Sequence, residues 1–121
     1  MERKDAVAAL GALAQDNRLE VFRLLVRTGA AGLPAGEIAN RMKIAPATLS
    51  FHLAQLRHAG LVTMRRESRS LIYSADYVGM NDLMSFLTEN CCAGTVGCGV
   101  PICDPASGTV VRRKATKPVR Q

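Results

Sequence analysis

The chain has 121 residues, 48% of them hydrophobic but only 4% aromatic, with no tryptophan, which suits one modest core of Leu, Val, Ala and Met rather than two domains. No apolar run approaches the ~18–20 residues of a membrane span, and Met1-Glu2-Arg3-Lys4-Asp5 does not open a secretion signal. A cytoplasmic chain with no membrane partner and four reduced cysteines is therefore expected.

The net charge of +6 is unevenly placed. Arg112, Arg113, Lys114, Lys117 and Arg120 fall in a final decapeptide without acids, and such a basic tail usually only solubilises or binds loosely. Between Arg41 and Arg69 six basic residues accompany one acid, Glu67, and that segment has the shape of a DNA reader.

In chain order, a first helix is predicted over residues 5–15, with Val7, Leu10 and Ala14 on one face. Asp16 starts a second helix through residue 27, with Leu19, Phe22, Leu25 and Val26 at helical spacing, and Gly29 and Gly32 end it. Pro34 opens a short third helix that buries Ile38 and Met42. After the turn Lys43-Ile44-Ala45, a fourth helix runs from Pro46 to a left-handed terminator at Gly60. Ala45 at its N-cap offers no side-chain acceptor, a loss of about 1 kcal/mol that phosphate oxygens would partly offset. Residues 61–66 and 69–74 read as two strands around a turn at Glu67-Ser68. A fifth helix over 78–90 buries Leu83, Met84 and Leu87. Beyond it, Gly94, Gly97, Gly99, Pro101, Pro105, Gly108 and Pro118 argue against regular structure and for a disordered end. The expected division is a DNA-binding and dimerisation domain at 1–92 and a cysteine-bearing loop with a basic tail at 93–121.

Two short helices, a tight turn and a hairpin make an α+β, mostly helical winged helix-turn-helix with a two-stranded wing. At 100° per residue, Leu49, Leu53 and Leu56 face the core and Ala47, Phe51, Ala54 and His58 lie opposite. Thr48, Ser50 and Gln55 flank that outer face, where side chains can reach base edges or phosphates in a major groove about 12 Å wide. Phe51 opposite the core stripe has two readings, a thymine methyl or a neighbouring element. His52 at the edge of the stripe is a structural hydrogen-bonder or a DNA contact. Arg65, Arg66 and Arg69 crowd the hairpin tip, either as a charged strand edge or as a wing on phosphate or the minor groove.

Asp16-Asn17-Arg18-Leu19, Leu33-Pro34-Ala35-Gly36-Glu37-Ile38-Ala39, Ala47-Thr48-Leu49-Ser50-Phe51-His52-Leu53-Ala54-Gln55-Leu56, Ala59-Gly60-Leu61-Val62 and Arg65-Arg66-Glu67 closely resemble the ArsR/SmtB metalloregulatory repressors, over residues 5 to about 92. The resemblance implies a homodimer through the first and last helices. It also implies binding to an operator with an imperfect inverted repeat, and release when a toxic metal or metalloid binds. Two standard sites of that family are missing. The third helix carries no Cys-x-Cys, and the last helix has Asp82 and Glu89 but no histidine.

Cys91-Cys92, followed by Cys98, resembles instead a subgroup of arsenic-responsive repressors with a C-terminal Cys-Cys-x5-Cys site. Three soft thiolates suit As(III) or Sb(III) as the effector, and two glycines in the spacer let Cys98 fold back. The alternatives are a soft divalent metal (Zn, Cd or Pb) as effector, with a four-thiolate site that includes Cys103 for zinc or cadmium, a thiol-redox switch, or inert surface cysteines. A metal-binding module without DNA function is a further alternative. No enzyme is expected: no arginine stands six positions after any cysteine, as an oxyanion-cradling Cys-x5-Arg reductase needs, and no Ser/His/Asp set appears.

Overall fold

The computed structural model describes residues 1–91 and the backbone of two short strands, 101–103 and 110–112. The elements run α1 (Arg3–Leu13), α2 (Asp16–Thr28), β1 (Leu33–Pro34), α3 (Ala35–Met42), α4 (Pro46–His58), β2 (Val62–Glu67), β3 (Ser70–Ala75), α5 (Tyr77–Leu87), β4 (Pro101–Cys103) and β5 (Val110–Arg112). The result is a mostly helical winged helix-turn-helix with a three-stranded antiparallel sheet, of order β1-β3-β2, and a separate two-stranded pair, β4-β5.

The core forms where α2, α3 and α4 meet the sheet. Val21, Leu25, Ile38, Leu49, Leu53, Leu56 and Leu61 are its most deeply buried side chains, each contributing about 1.5–3 kcal/mol by leaving water. Leu49, Leu53 and Leu56 recur at the spacing that the leucine stripe predicted, so α4 is held by one side only.

α1 departs from expectation. Its buried stripe is Ala6, Ala9 and Ala12, whereas Val7 and Leu10 point outward at 63% and 43% exposure. Alanine lets α1 lie close against its neighbours, and the larger side chains are left on the far side. The Asp5 carboxylate accepts from the Glu2 amide at 3.1 Å, which satisfies a donor at the helix start and sets negative charge there. The Gln15 side chain, rather than Asp16, caps α2 by accepting from the Arg18 amide at 2.9 Å.

The sheet has three strands where two were expected. Leu33 pairs with Tyr73 and Pro34 with Ile72; proline is tolerated because this short strand is an edge. Gly32 leads into it at φ +71, with the Tyr73 carbonyl 2.5 Å from where a Cβ would stand, so only glycine fits. The wing hairpin is also shifted. Glu67 pairs with Ser70, which moves the turn from Glu67-Ser68 to Ser68-Arg69, with Ser68 in the left-handed region at φ 57. This register sets Val62 opposite Ala75 at the buried root of the hairpin.

α5 starts with Asp76 capping the Gly79 amide at 3.0 Å and ends at Leu87, three residues before the predicted end at residue 90. It buries Leu83, but Leu87, expected inside, is 53% exposed. The tail expected to lack regular structure contains an antiparallel pair in which Ile102 faces Val111 and Cys103 faces Val110. The β-branched Ile102, Val110 and Val111 favour extended backbone and outweigh the Gly and Pro punctuation around them.

Candidate nucleic-acid interface

The interface begins at the turn between α3 and α4. Lys43 adopts φ 56 to close α3, and the Ile44 amide bonds back to Ala39 O at 3.1 Å. Pro46 occupies the first turn of α4, and Ala45 supplies no side-chain cap. The early amides of α4 thus lack a side-chain acceptor, and an anion there would gain from the helix dipole.

The buried side of α4 determines what its other side presents. Ala47, Thr48, Ser50 and Phe51 are exposed, and Phe51 reaches 57%. Gln55 is placed differently: half-buried, it lines a cleft against α1 with Ala8, Gly11, Ala12, Arg18 and His58. Of the four α4 residues predicted to meet DNA, three share the outward face and Gln55 is set back from it.

His52 is buried, at 6% exposure. Its Nδ1 lies 3.3 Å from an Arg18 guanidinium nitrogen, whose Nε in turn donates to Ala12 O at 2.7 Å. Arginine only donates, so Nδ1 must be the acceptor and the ring neutral, with its proton on Nε2. Burial pushes the His52 pKa below its ordinary 6.5, and the adjacent Arg18 charge pushes it the same way. Of the two readings of His52, the structure supports the structural hydrogen bond. The Arg18 bridge ties α1, α2 and α4 together. Sequence reasoning did not assign it, and the only signal was a histidine next to the core leucines.

The three wing arginines divide into two kinds. Arg65 is occupied within the protein: its Nε donates to Glu67 at 2.8 Å, and its other nitrogens donate to Ala31 O at 2.8 Å and Ala30 O at 3.4 Å. This planar fork fastens the wing to the loop after α2, a geometry that lysine could not reproduce. Arg66 and Arg69 are exposed and form no ion pair with another described residue. They are the wing charges free to meet phosphate.

Of the predicted sulfur ligands, Cys91 is half-buried just beyond α5, its amide bonded to Thr88 O at 2.9 Å. Cys92 and Cys98 lie outside the described residues. Among the described residues no three His, Cys, Asp or Glu side chains gather as a metal site, and no helix is long and apolar enough to cross a membrane.

An α3–turn–α4 unit, an outward face of small and polar side chains and a cationic hairpin define a winged helix-turn-helix DNA-binding protein. A family described as a helix-turn-helix domain matches residues 13–65, from the end of α1 into β2. The transcriptional activator HlyU of Vibrio cholerae is 31% identical over 87 residues, 72% of this chain and 78% of HlyU. Its structure superposes with a TM-score of 0.60, covering 76% of this chain and 99% of that one. An ArsR-like transcriptional regulator from Rhodococcus sp. RHA1 gives a TM-score of 0.62 at 25% identity, covering 69% of this chain and 76% of that one. The fold is shared with Mb0332 of Mycobacterium bovis, described as a homodimeric winged helix-turn-helix DNA-binding domain, at 24% identity and a TM-score of 0.58 over 72% of this chain and 81% of that one.

The chain belongs to the ArsR-like family of winged helix-turn-helix transcriptional regulators. HlyU and the Rhodococcus protein are both described as transcriptional regulators.

Proposed function

We propose that this regulator is a homodimeric repressor of metalloid-resistance genes that leaves its operator when As(III) or Sb(III) binds Cys91, Cys92 and Cys98. The observation that carries this reading is the position of the thiols. Cys91 stands four residues after Leu87, the last residue of α5, and Cys92 and Cys98 follow within seven residues. Three thiolates are a donor set that suits a soft pyramidal ion better than a hard one. Val7, Leu10, Val78 and Leu87 stand exposed on α1 and α5, an apolar surface of the kind that a partner subunit covers. A thiol cluster at the end of such a helix would change dimer packing, and with it the spacing of the two α4 helices. A coupling of ~1–3 kcal/mol would weaken operator binding several-fold to ~150-fold.

Single Cys91→Ser, Cys92→Ser and Cys98→Ser variants should still repress a reporter but no longer respond to arsenite, whereas Cys103→Ser should respond almost normally. Loss of response at Cys103 would favour a four-thiolate metal site. A second reading, a thiol-redox switch, draws support from the relative HlyU, one of whose structures is described as its reduced form (30% identity, TM-score 0.58, over 74% of this chain and 90% of that one). Release by a disulfide-forming oxidant, and not by arsenite, would select it. HlyU is named an activator, so the sign of regulation is read in the same reporter assay.

A further inference from the structure

Phe51 sits in the second turn of α4 with 57% of its surface exposed. Among the described residues its one aromatic neighbour is His52, at 5.9 Å between centroids and tilted by 58°, on the buried side of the same helix. The core is already filled by Leu49, Leu53 and Leu56, so the phenyl ring has no packing role there. The exposed residues beside it in the first two turns are Pro46, Ala47, Thr48 and Ser50. None is Arg or Lys, which read guanine, or Asp or Glu, which read cytosine. Arg57 is at the far end of the helix, whereas base edges are met by N-terminal residues. Gln55, the side chain suited to adenine, is half-buried against α1. The hydroxyls of Thr48 and Ser50 can pair with either kind of base edge and so discriminate little, which leaves the apolar surface of Phe51 and Ala47 to select, and the apolar group it meets on the major-groove floor is the thymine C5-methyl.

We propose that α4 selects its half-site through thymine methyl groups seated against Phe51, with Ala47 beside it, so that the preferred base pairs there are A·T. This deepens the reading of the chain as an operator-binding regulator and rests on it. The exposed hydroxyls of Thr48 and Ser50 then serve register and orientation, and the charge of Arg66 and Arg69 supplies affinity without sequence preference.

The test uses the full chain and a random duplex library, from which the best-bound sequence is selected. That duplex is then synthesised with thymine or with deoxyuridine, which pairs identically and lacks only the methyl. A buried methyl is worth about fourfold in affinity, so one contact in each of two half-sites predicts about 15-fold weaker binding to the uracil duplex. Phe51→Ala should bind both duplexes alike, at about the affinity of the native chain for uracil DNA, with an unchanged circular dichroism spectrum because the ring is outside the core. Equal binding of the two duplexes by the native chain would overturn the proposal, as would a Phe51→Ala protein that still prefers thymine. If no sequence is enriched at all, the operator-binding reading itself fails and the methyl readout with it, an outcome distinct from binding that ignores the methyl.

Discussion

Replacing Arg18 by Met keeps an unbranched apolar stem and removes the guanidinium that joins three helices. Two contacts disappear, the 2.7 Å bond to Ala12 O and the 3.3 Å contact with His52 Nδ1. A hydrogen bond from a charged donor contributes about 1.5–3 kcal/mol. The first contact is short and the second long, and Arg18 is only part-buried, so a net loss of about 2 kcal/mol is expected. For a folded unit of this size each kcal/mol moves the melting temperature by roughly 4–8 °C, giving a fall of about 10 °C at fixed protein concentration.

The pH dependence supplies a second, independent readout. The folded His52 pKa lies below 6.5, so near pH 6 and lower the unfolded chain takes up a proton that the folded chain resists. Stability from this group is complete above pH 6.5. It is lost as pH falls from there through the folded pKa, with a slope of up to about 1.4 kcal/mol per pH unit. Without the Arg18 charge the folded pKa rises toward 6.5 and the window narrows. Thermal unfolding followed by circular dichroism between pH 5 and 8 measures both effects. An unchanged melting temperature, or a variant with the same acid sensitivity as the native chain, would refute the assigned role of the bridge.

The wing arginines should separate by salt dependence. Arg66→Ala and Arg69→Ala should each weaken binding to any duplex and lower the slope of log affinity against log salt by about 0.9. Arg65→Gln should instead leave that slope nearly intact while loosening the wing, seen as faster amide exchange in β2 and β3. Gly79→Ala drives a Cβ into the Gly60 carbonyl oxygen, so α5 must shift off the end of α4; reduced thermal stability is the expected outcome, and native stability would contradict this close approach. Val78→Glu with Leu87→Glu should turn the proposed dimer into a monomer by sedimentation analysis while leaving the helix content unchanged, and a native chain that is already monomeric would contradict the proposed dimer.

Much of the fold could be read from the residues because long apolar periodicities are strong local signals. The leucine stripe of α4 is of this kind and sets Thr48, Ser50 and Phe51 outward, while Gly60 and the strand segments on either side of Glu67-Ser68 are local signals of a helix end and a hairpin. The misreadings have physical causes. Hydrophobicity alone points Val7 and Leu10 inward, but close helix packing selects Ala6, Ala9 and Ala12. β1 is two residues long and exists only because β3 lies beside it, a tertiary pairing with no periodicity of its own. Arg65 looked like its neighbours because carbonyls 34 and 35 residues earlier leave no trace in local sequence. His52 was readable only as ambiguous, since its partner Arg18 is 34 residues away. The thiol cluster is legible as chemistry, through residue type and spacing, and there its reading rests.

The central claim, DNA binding under thiol control, is tested most directly by titrating arsenite into a fluorescent operator complex of the full chain, with zinc, cadmium and a disulfide-forming oxidant in parallel. The account predicts that arsenite releases the DNA at a stoichiometry of one per protomer and that Cys98→Ser abolishes this release. A complex that survives arsenite but dissolves with zinc would contradict it.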